Sequence, residues 1–410
     1  MRILFLTHRL PYAANRGDRI RALNLLRFLA PHADVDLVSL VHDRDEENHA
    51  GDLRDIVASV RVARTHRWMG YAAAAAALPT RRPLTHALLD APGLASAVRE
   101  TVATHPPDLV LAYCSGMARV ALGGQLRQFP FVLGMVDLDS EKWKELGVTA
   151  RAPARWIYAR EARSLAVFEP LAARRAEAVL VVNERERASL LALAPDANVQ
   201  VVPNGIALDE FRPPSGPSSD FRVTFCGVMD YEPNEAAAIW LAREVWPAVH
   251  RRHPSSRLSL VGANPTAAVR RLAEADPSID VTGTVPDVRP YLWRSALAVA
   301  PLRVARGIQN KVLEALAAGL PCVVTRTVEA GLPQEALPGC AVADEPAAFA
   351  AAIADLLSLD PARRRACADL ADLQPLTWPA RLAPLLPLLE SAISHSTNRA
   401  IPSSKGVEGS

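Results

Sequence analysis

The feature that most restricts the fold of this chain is an alternation, run through twice, of short β-branched segments with longer amphipathic ones. In the first series residues 3–7 read as a strand. Residues 17–30 read as a helix with Ala22, Leu25, Leu26 and Leu29 on one face. Further strands are expected over 35–41, 109–113, 131–136 and 178–182. A turn-forming stretch, Phe211-Arg212-Pro213-Pro214-Ser215-Gly216-Pro217-Ser218-Ser219, then reads as a linker. Beyond it the pattern restarts, with strands expected over 221–226, 258–261, 279–282, 297–300 and 321–325. Strands separated by helices call for parallel sheets covered on both faces. The expected architecture is α/β: two Rossmann-like doubly wound domains facing across a cleft, a favoured place for a ligand. The expected boundaries are 1–200 and 201–375, with a helix over 376–394 packing back towards the first domain and a disordered tail over 395–410.

A chain of 410 residues can build two cores of ordinary size. Its formal charge of +2 gives no whole-chain field to attract nucleic acid. Cys114, Cys226, Cys322, Cys340 and Cys367 are dispersed without metal-site spacing, which argues for a reducing compartment and against a disulfide framework. The N-terminal apolar run is too short for a signal peptide, and no window suits a membrane-spanning helix. A cytoplasmic protein is expected.

Local charge is less even. Residues 56–89 hold Arg61, Arg64, Arg67, Arg81 and Arg82 but no acid, with Trp68, Met69, Tyr71 and a run of six alanines among them. The segment reads either as a solvated helix pair with an alanine packing face or as a patch over 61–82 that touches anionic lipid.

The stretch richest in chemistry is Ala300-Pro301-Leu302-Arg303-Val304-Ala305-Arg306-Gly307-Ile308-Gln309-Asn310-Lys311-Val312-Leu313-Glu314-Ala315-Leu316-Ala317-Ala318-Gly319-Leu320-Pro321. A strand ends near Leu302, and a helix is expected from Gly307 or Ile308, placing Gly307, Lys311, Glu314 and Ala318 on one face. A helix N-terminus after a parallel strand binds anions through its unpaired N–H groups. Lys311, Arg303 and Arg306 would add positive charge there, and Glu314 could accept hydrogen bonds from a ribose diol. The competing reading is an exposed Lys–Glu pair three residues apart.

This stretch resembles the C-terminal motif of the retaining GT-B glycosyltransferases of family 4: Glu-x7-Glu, then Ala, a small residue and Gly-x-Pro. It is most similar to the sugar transferases associated with PEP-CTERM exosortase and exopolysaccharide loci. Further similar pieces occur in the family's order: Val202-Pro203-Asn204-Gly205-Ile206, Phe225-Cys226-Gly227-Val228-Met229-Asp230-Tyr231-Glu232-Pro233-Asn234, Leu260-Val261-Gly262, and Val281-Thr282-Gly283-Thr284-Val285-Pro286-Asp287-Val288. The resemblance implies that Glu314 holds the ribose and that Gly227 lies close to the phosphates or sugar. It implies that backbone groups of Thr284, Val285, Pro286 and Asp287 hold the base. It also implies that Gly17, in Asn15-Arg16-Gly17-Asp18-Arg19, belongs to a loop approaching donor phosphate and acceptor. Two departures stand out. Arg306 occupies the place of the motif's first Glu, and Met229-Asp230-Tyr231-Glu232 replaces the common Arg-and-Lys pair.

Asp137 and Asp139 end the strand over 131–136, where carboxylates of a parallel sheet face the ligand crevice. Asp137 is the candidate beside the sugar; Asp139 could equally be a helix N-cap. The function so implied is transfer of a sugar, with retention, from a nucleotide-diphosphate sugar to a sugar or polyprenyl-linked glycan acceptor. Asp137, Lys311 and Arg306 are the candidate catalytic groups. Gly17, Gly227, Thr284, Val285, Asp287, Arg303, Gly307 and Glu314 are candidates for donor binding. No metal or other cofactor is expected. A nucleotide-sugar epimerase of the same fold and a non-catalytic nucleotide-sugar-binding partner remain as alternatives. A Rossmann dehydrogenase is disfavoured, because no Gly-x-Gly-x-x-Gly follows the first strand.

Overall fold

The computed structural model describes residues 1–12, 17–214, 216, 218, 220–305 and 308–400. By internal contact the chain divides into two units, Met1–Asn204 with Arg381–Ser410, and Gly205–Ala380.

The first unit is built on a seven-stranded parallel sheet. Its strands are β1 (Arg2–Thr7), β2 (Asp34–Val41), β3 (Ser59–Arg64), β4 (Leu109–Tyr113), β5 (Phe131–Val136), β6 (Ala178–Val181) and β7 (Val199–Val201). They lie in the order β3-β2-β1-β4-β5-β6-β7. Phe5 of β1 is in register with Leu37 on one side and Leu111 on the other. Ile3, Leu4, Phe5 and Leu6 are all buried, because helices cover both faces of the sheet. One polar pair inside the sheet is Thr7 and Ser39, where Thr7 Oγ1 donates to Ser39 Oγ at 2.8 Å.

The basic segment is a helix pair only in its second part. Ser59–Arg64 forms the edge strand β3, and only Arg67–Ala77 and Leu84–Leu88 are helical. Arg61 pairs with Glu100, Arg64 with Glu47 and Arg82 with Asp90, so acids from outside the segment answer much of its charge. The helix Arg67–Ala77 buries only Gly70 and Ala77 and leaves Trp68, Met69 and Tyr71 exposed.

The helix Leu385–Ala400 packs on β4 and β5, and its Leu385, Leu389 and Ala392 are buried. It continues into the stretch read from the sequence as disordered from residue 395, since a helical ladder can outrun its last packed residue. Residues 401–410 lie outside the described residues.

The second unit holds a six-stranded parallel sheet ordered β10-β9-β8-β11-β12-β13. The strands are β8 (Arg222–Cys226), β9 (Arg257–Val261), β10 (Ile279–Val281), β11 (Leu297–Ala300), β12 (Cys322–Val324) and β13 (Cys340–Val342). Trp246 is fully buried in its core, with Nε1 donating to Ser278 Oγ at 2.8 Å. The segments entering and leaving this unit run side by side, where Ile206 N donates to Leu376 O at 2.8 Å. A Cβ on Gly205 would lie 2.4 Å from Trp378 N, so the approach requires glycine.

Candidate active site

In the second unit β8 has β9 on one side and β11 on the other, which makes the carboxyl ends of β8 and β11 a topological switch point. Ligands of doubly wound sheets bind at such a point. The loops there are locked together through glycines. Gly262, after β9, has φ +149, and a Cβ on it would lie 1.7 Å from Gly227 O. Gly227, after β8, donates its N–H to Val261 O at 2.9 Å. A Cβ on Gly227 would come within 2.9 Å of Asn234 Cγ. Gly262 N in turn donates to Thr282 Oγ1, at the end of β10, over 3.3 Å.

The helix after β11 runs Asn310–Ala317 rather than starting at Gly307 or Ile308, because Gln309 sits at φ −87, ψ 88, outside helical space. Arg306 and Gly307 lie outside the described residues. No side-chain hydrogen bond from Gln309 caps the helix, so its first turn presents backbone donors.

Val312, Leu313, Ala315 and Leu316 anchor this helix in the core. Lys311 and Glu314 are half-buried on adjacent turns, not the exposed surface pair of the competing reading. Lys311 Nζ donates to Asn234 Oδ1 at 2.8 Å and lies 4.7 Å from the centre of the Phe225 ring. Burial lowers the Lys311 amine to about 8, with Cys226 and Glu314 opposing the shift. Burial raises the Glu314 carboxyl, opposed by Lys311. Burial, aided by Glu314, pushes the Cys226 thiol up to about 12. One cation and one anion thus share a weakly screened site, where each is worth more to a ligand than in water.

The remaining candidates of this unit lie around that centre. Arg303 is exposed, with its guanidinium 5.3 Å from the centre of the Trp240 ring. Thr284 is exposed and Val285 half-buried in the loop after β10. Asp287 accepts from Arg289 N at 2.9 Å and Arg289 Nε at 2.9 Å, and the Arg289 bond holds its carboxyl below the usual range. The Asp287 side chain is thereby committed to its own loop, which leaves backbone groups as that loop's means of contact.

In the first unit the switch point falls between β1 and β4. Gly17 opens the helix Gly17–Leu29 that follows β1, while Asn15 and Arg16 lie outside the described residues. Just after β4 Cys114 has φ 78, and β5 ends on Val136 at φ 68. Such backbone is strained for a β-branched residue, and strain of this kind gathers at functional edges. Asp137 follows Val136. Burial raises its carboxyl; Asp139 adds to the shift, while Lys142 and Arg21 oppose it. Asp139 is not an N-cap: it lies inside the first turn of the helix Asp139–Thr149 and accepts from Ser115 Oγ at 2.7 Å. Glu169 engages that helix end instead, accepting from Ser140 N at 3.1 Å and from Ser140 Oγ.

Two residues at these edges escaped sequence reasoning. Arg21, 2% exposed, donates to Val202 O and Asn204 Oδ1, each at 2.7 Å, tying the first helix to the end of its unit. Asn234 was visible only as part of a motif. Its polar side chain in a helix's first turn is an ordinary feature until Lys311 is seen beside it.

Residues 16–205 match the family model described as Glycosyl transferase 4-like domain, and residues 220–359 match Glycosyl transferases group 1. With these matches in order along two parallel α/β units, the chain is a glycosyltransferase of the GT-B type. More particularly, it joins a 4-like domain to a group 1 domain. Among solved structures it is similar to sucrose-phosphate synthase from Thermosynechococcus elongatus, with TM-score 0.63, 19% identity, and coverage of 96% of this chain and 100% of that one. Anabaena HepE in complex with UDP gives TM-score 0.61 and 16% identity over 95% of this chain and 100% of that one. A point mutant of S. aureus TarM, solved with fondaparinux, α-GlcNAc-glycerol and UDP, gives TM-score 0.63 and 10% identity over 95% and 99%. At these identities the likeness shows the fold. No curated protein sequence matches the chain.

Proposed function

We propose that the chain moves a sugar from a nucleoside-diphosphate sugar to a hydroxyl of a glycan acceptor, retaining configuration at the transferred carbon. The observation carrying this reading is Lys311 and Glu314, half-buried on adjacent turns of a helix at the switch point, with Lys311 held at 2.8 Å by Asn234. In this reading Lys311 and the first-turn N–H groups take the diphosphate, and Glu314 takes the ribose hydroxyls. Gly227 lets backbone approach the phosphates or sugar, and backbone groups of Thr284, Val285, Pro286 and Asp287 hold the base. Arg306 and Gly307 join the phosphate contacts. Arg303, with its guanidinium 5.3 Å from the centre of the Trp240 ring, is a further candidate cation. Gly17 and Asp137 serve the sugar and acceptor.

The donor's C1–O bond to the diphosphate breaks as the acceptor oxygen bonds C1, and the acceptor proton passes to the departing phosphate oxygen. Charge growing on that oxygen is met by the Lys311 ammonium and backbone dipoles, so the reading calls for no metal. The solved UDP complexes of HepE and TarM make UDP-sugars the first donors to try.

By the resemblance described above, the acceptor is a polyprenyl-linked glycan of exopolysaccharide assembly, met at the inner face of the membrane. No helix among the described residues is long and apolar enough to cross a membrane. The exposed Trp68, Met69 and Tyr71 favour peripheral contact instead. Flotation with vesicles that proved independent of anionic lipid would remove that contact.

The test of function is a panel of UDP-, GDP- and ADP-sugars, screened by thermal shift and then by nucleotide release with lipid-linked acceptors. Acceptor-dependent release with one donor is expected. An altered free sugar without acceptor would identify an epimerase. A shift without release by any acceptor would identify a binding partner, and no shift would overturn the site.

A further inference from the structure

We propose that Asn234 is a positioning residue of the donor site, holding the Lys311 ammonium and the Gly227–Val228 backbone in one fixed arrangement. The proposal rests on the donor-site reading above.

Asn234 is 7% exposed, in the first turn of the helix Glu232–Trp240. Its Oδ1 accepts from Lys311 Nζ at 2.8 Å, and its Nδ2 donates to Val228 O at 2.9 Å. An ammonium can only donate and a carbonyl can only accept, so the two partners fix the orientation of the amide. Both halves of the amide are thereby used. An aspartate here would turn a second acceptor towards Val228 O. The contact also explains Gly227, since a Cβ there would lie 2.9 Å from Asn234 Cγ and Nδ2.

The chemistry favours a neutral partner for Lys311. A carboxylate at this distance would neutralise the ammonium and compete with an incoming diphosphate. A carbonyl oxygen removes the side chain's freedom and satisfies one of its three donors, leaving the charge for the ligand. Asn234 also joins opposite sides of the switch point, because its helix follows β8 and the Lys311 helix follows β11. The cation and the glycine backbone are thus preset for the same ligand, which lowers the ordering cost of binding.

The test uses the full chain and whichever of UDP, GDP and ADP binds it most tightly, with affinity measured by calorimetry from about pH 6 to about pH 10, a range bracketing the lysine. Affinity should fall as the pH rises through the Lys311 value of about 8, since the charged amine is the binding form. Asn234→Ala should weaken binding about two- to tenfold, because the lysine side chain must then be ordered as the ligand binds. It should also move the alkaline fall to lower pH, because the ammonium loses an acceptor that favours its charged form. Asn234→Asp should weaken binding near neutrality yet move the fall to higher pH. Loss of packing alone cannot produce these opposite displacements, and the near-isosteric Asp variant carries the test should the Ala variant not fold. An alkaline fall left in place by both variants, while Lys311→Met abolishes it, would overturn the role of Asn234. A Lys311→Met protein with unchanged affinity would instead overturn the donor-site reading.

Discussion

Replacing Glu314 by Gln tests the ribose contact through a difference between two ligands. A carboxylate that accepts from both ribose hydroxyls makes two charge-assisted hydrogen bonds, each worth about 1.5–3 kcal/mol. A 2′-deoxy nucleotide forfeits one of them, so the native protein should prefer the ribonucleotide by about ten- to hundredfold. Glutamine keeps the shape, one acceptor oxygen and no charge. The preference should then shrink to a neutral bond of about 0.5–1.5 kcal/mol, or roughly two- to tenfold. Lys311 complicates the absolute affinity, because Glu314 is one of the two groups that support the charge on its amine. With Glu314 neutral the amine shifts further down, so the comparison belongs near pH 6.5, where Lys311 stays charged in both proteins. Calorimetry with UDP and 2′-deoxy-UDP, or the matching pair for another base, reads the preference directly. If both ligands weaken equally and the preference survives, Glu314 acts through Lys311 and does not touch the ribose.

Gly262→Ala should cost about 3 kcal/mol or more, because its Cβ would meet Gly227 O at 1.7 Å and its φ of +149 suits only glycine. A lower thermal midpoint together with lost nucleotide binding checks this, and an unchanged midpoint would refute the glycine contact. Burial raises the Glu169 carboxyl to about 7, against the two bonds from Ser140, so the folded chain holds this proton more tightly than the unfolded one. Stability from this group is therefore full below the unfolded value of 4.5 and is lost as pH rises towards 7, by up to about 3 kcal/mol at about 1.36 kcal/mol per unit. Glu169→Gln should gain relative to the native chain between pH 5 and pH 8 in urea melts, and a constant difference between the two proteins would refute it.

What the sequence showed follows from what leaves a local mark. β4, β5 and β11 were legible to the residue because strands buried on both faces are continuous apolar runs. β3, β7 and β13, each at a sheet edge and only partly buried, were not read. Arginines at 61 and 64 suit an edge but conceal its pattern. Lys311 and Glu314 were legible because they share one helix and spacing alone puts them on adjacent turns. The helix start was misplaced because periodicity cannot see the non-helical backbone at Gln309. Asn234 and Arg21 lay beyond reach for another reason: their partners are 77 and 183 residues away.

Buried charge separates the groups that hold the fold from those that remain for a ligand. Glu161 takes the N–H groups of Leu84 and Thr85, at 2.7 and 2.9 Å, and so serves a helix start. Glu169 serves Ser140 in the same way. Glu46 takes the His42 N–H at 2.8 Å and the guanidinium groups of Arg9 and Arg19. Each of these carboxylates has a structural task that accounts for its burial. Glu314 is half-buried and shifted upward by burial as well, but no helix cap or ion pair among the described residues engages its carboxylate. It stands near the carboxyl edge of its sheet, on the helix that follows β11, whereas Asp137, directly after a strained strand end, is exposed to solvent. A carboxylate kept from water without a partner costs stability, and such groups gather where a ligand supplies the missing hydrogen bonds. Lys311 fits the same logic, since its one hydrogen-bond partner among the described residues is a neutral amide and no carboxylate there forms an ion pair with it. The fold bears the cost of Lys311 and Glu314 at the switch point of the second unit, which is where a nucleotide sugar would relieve it.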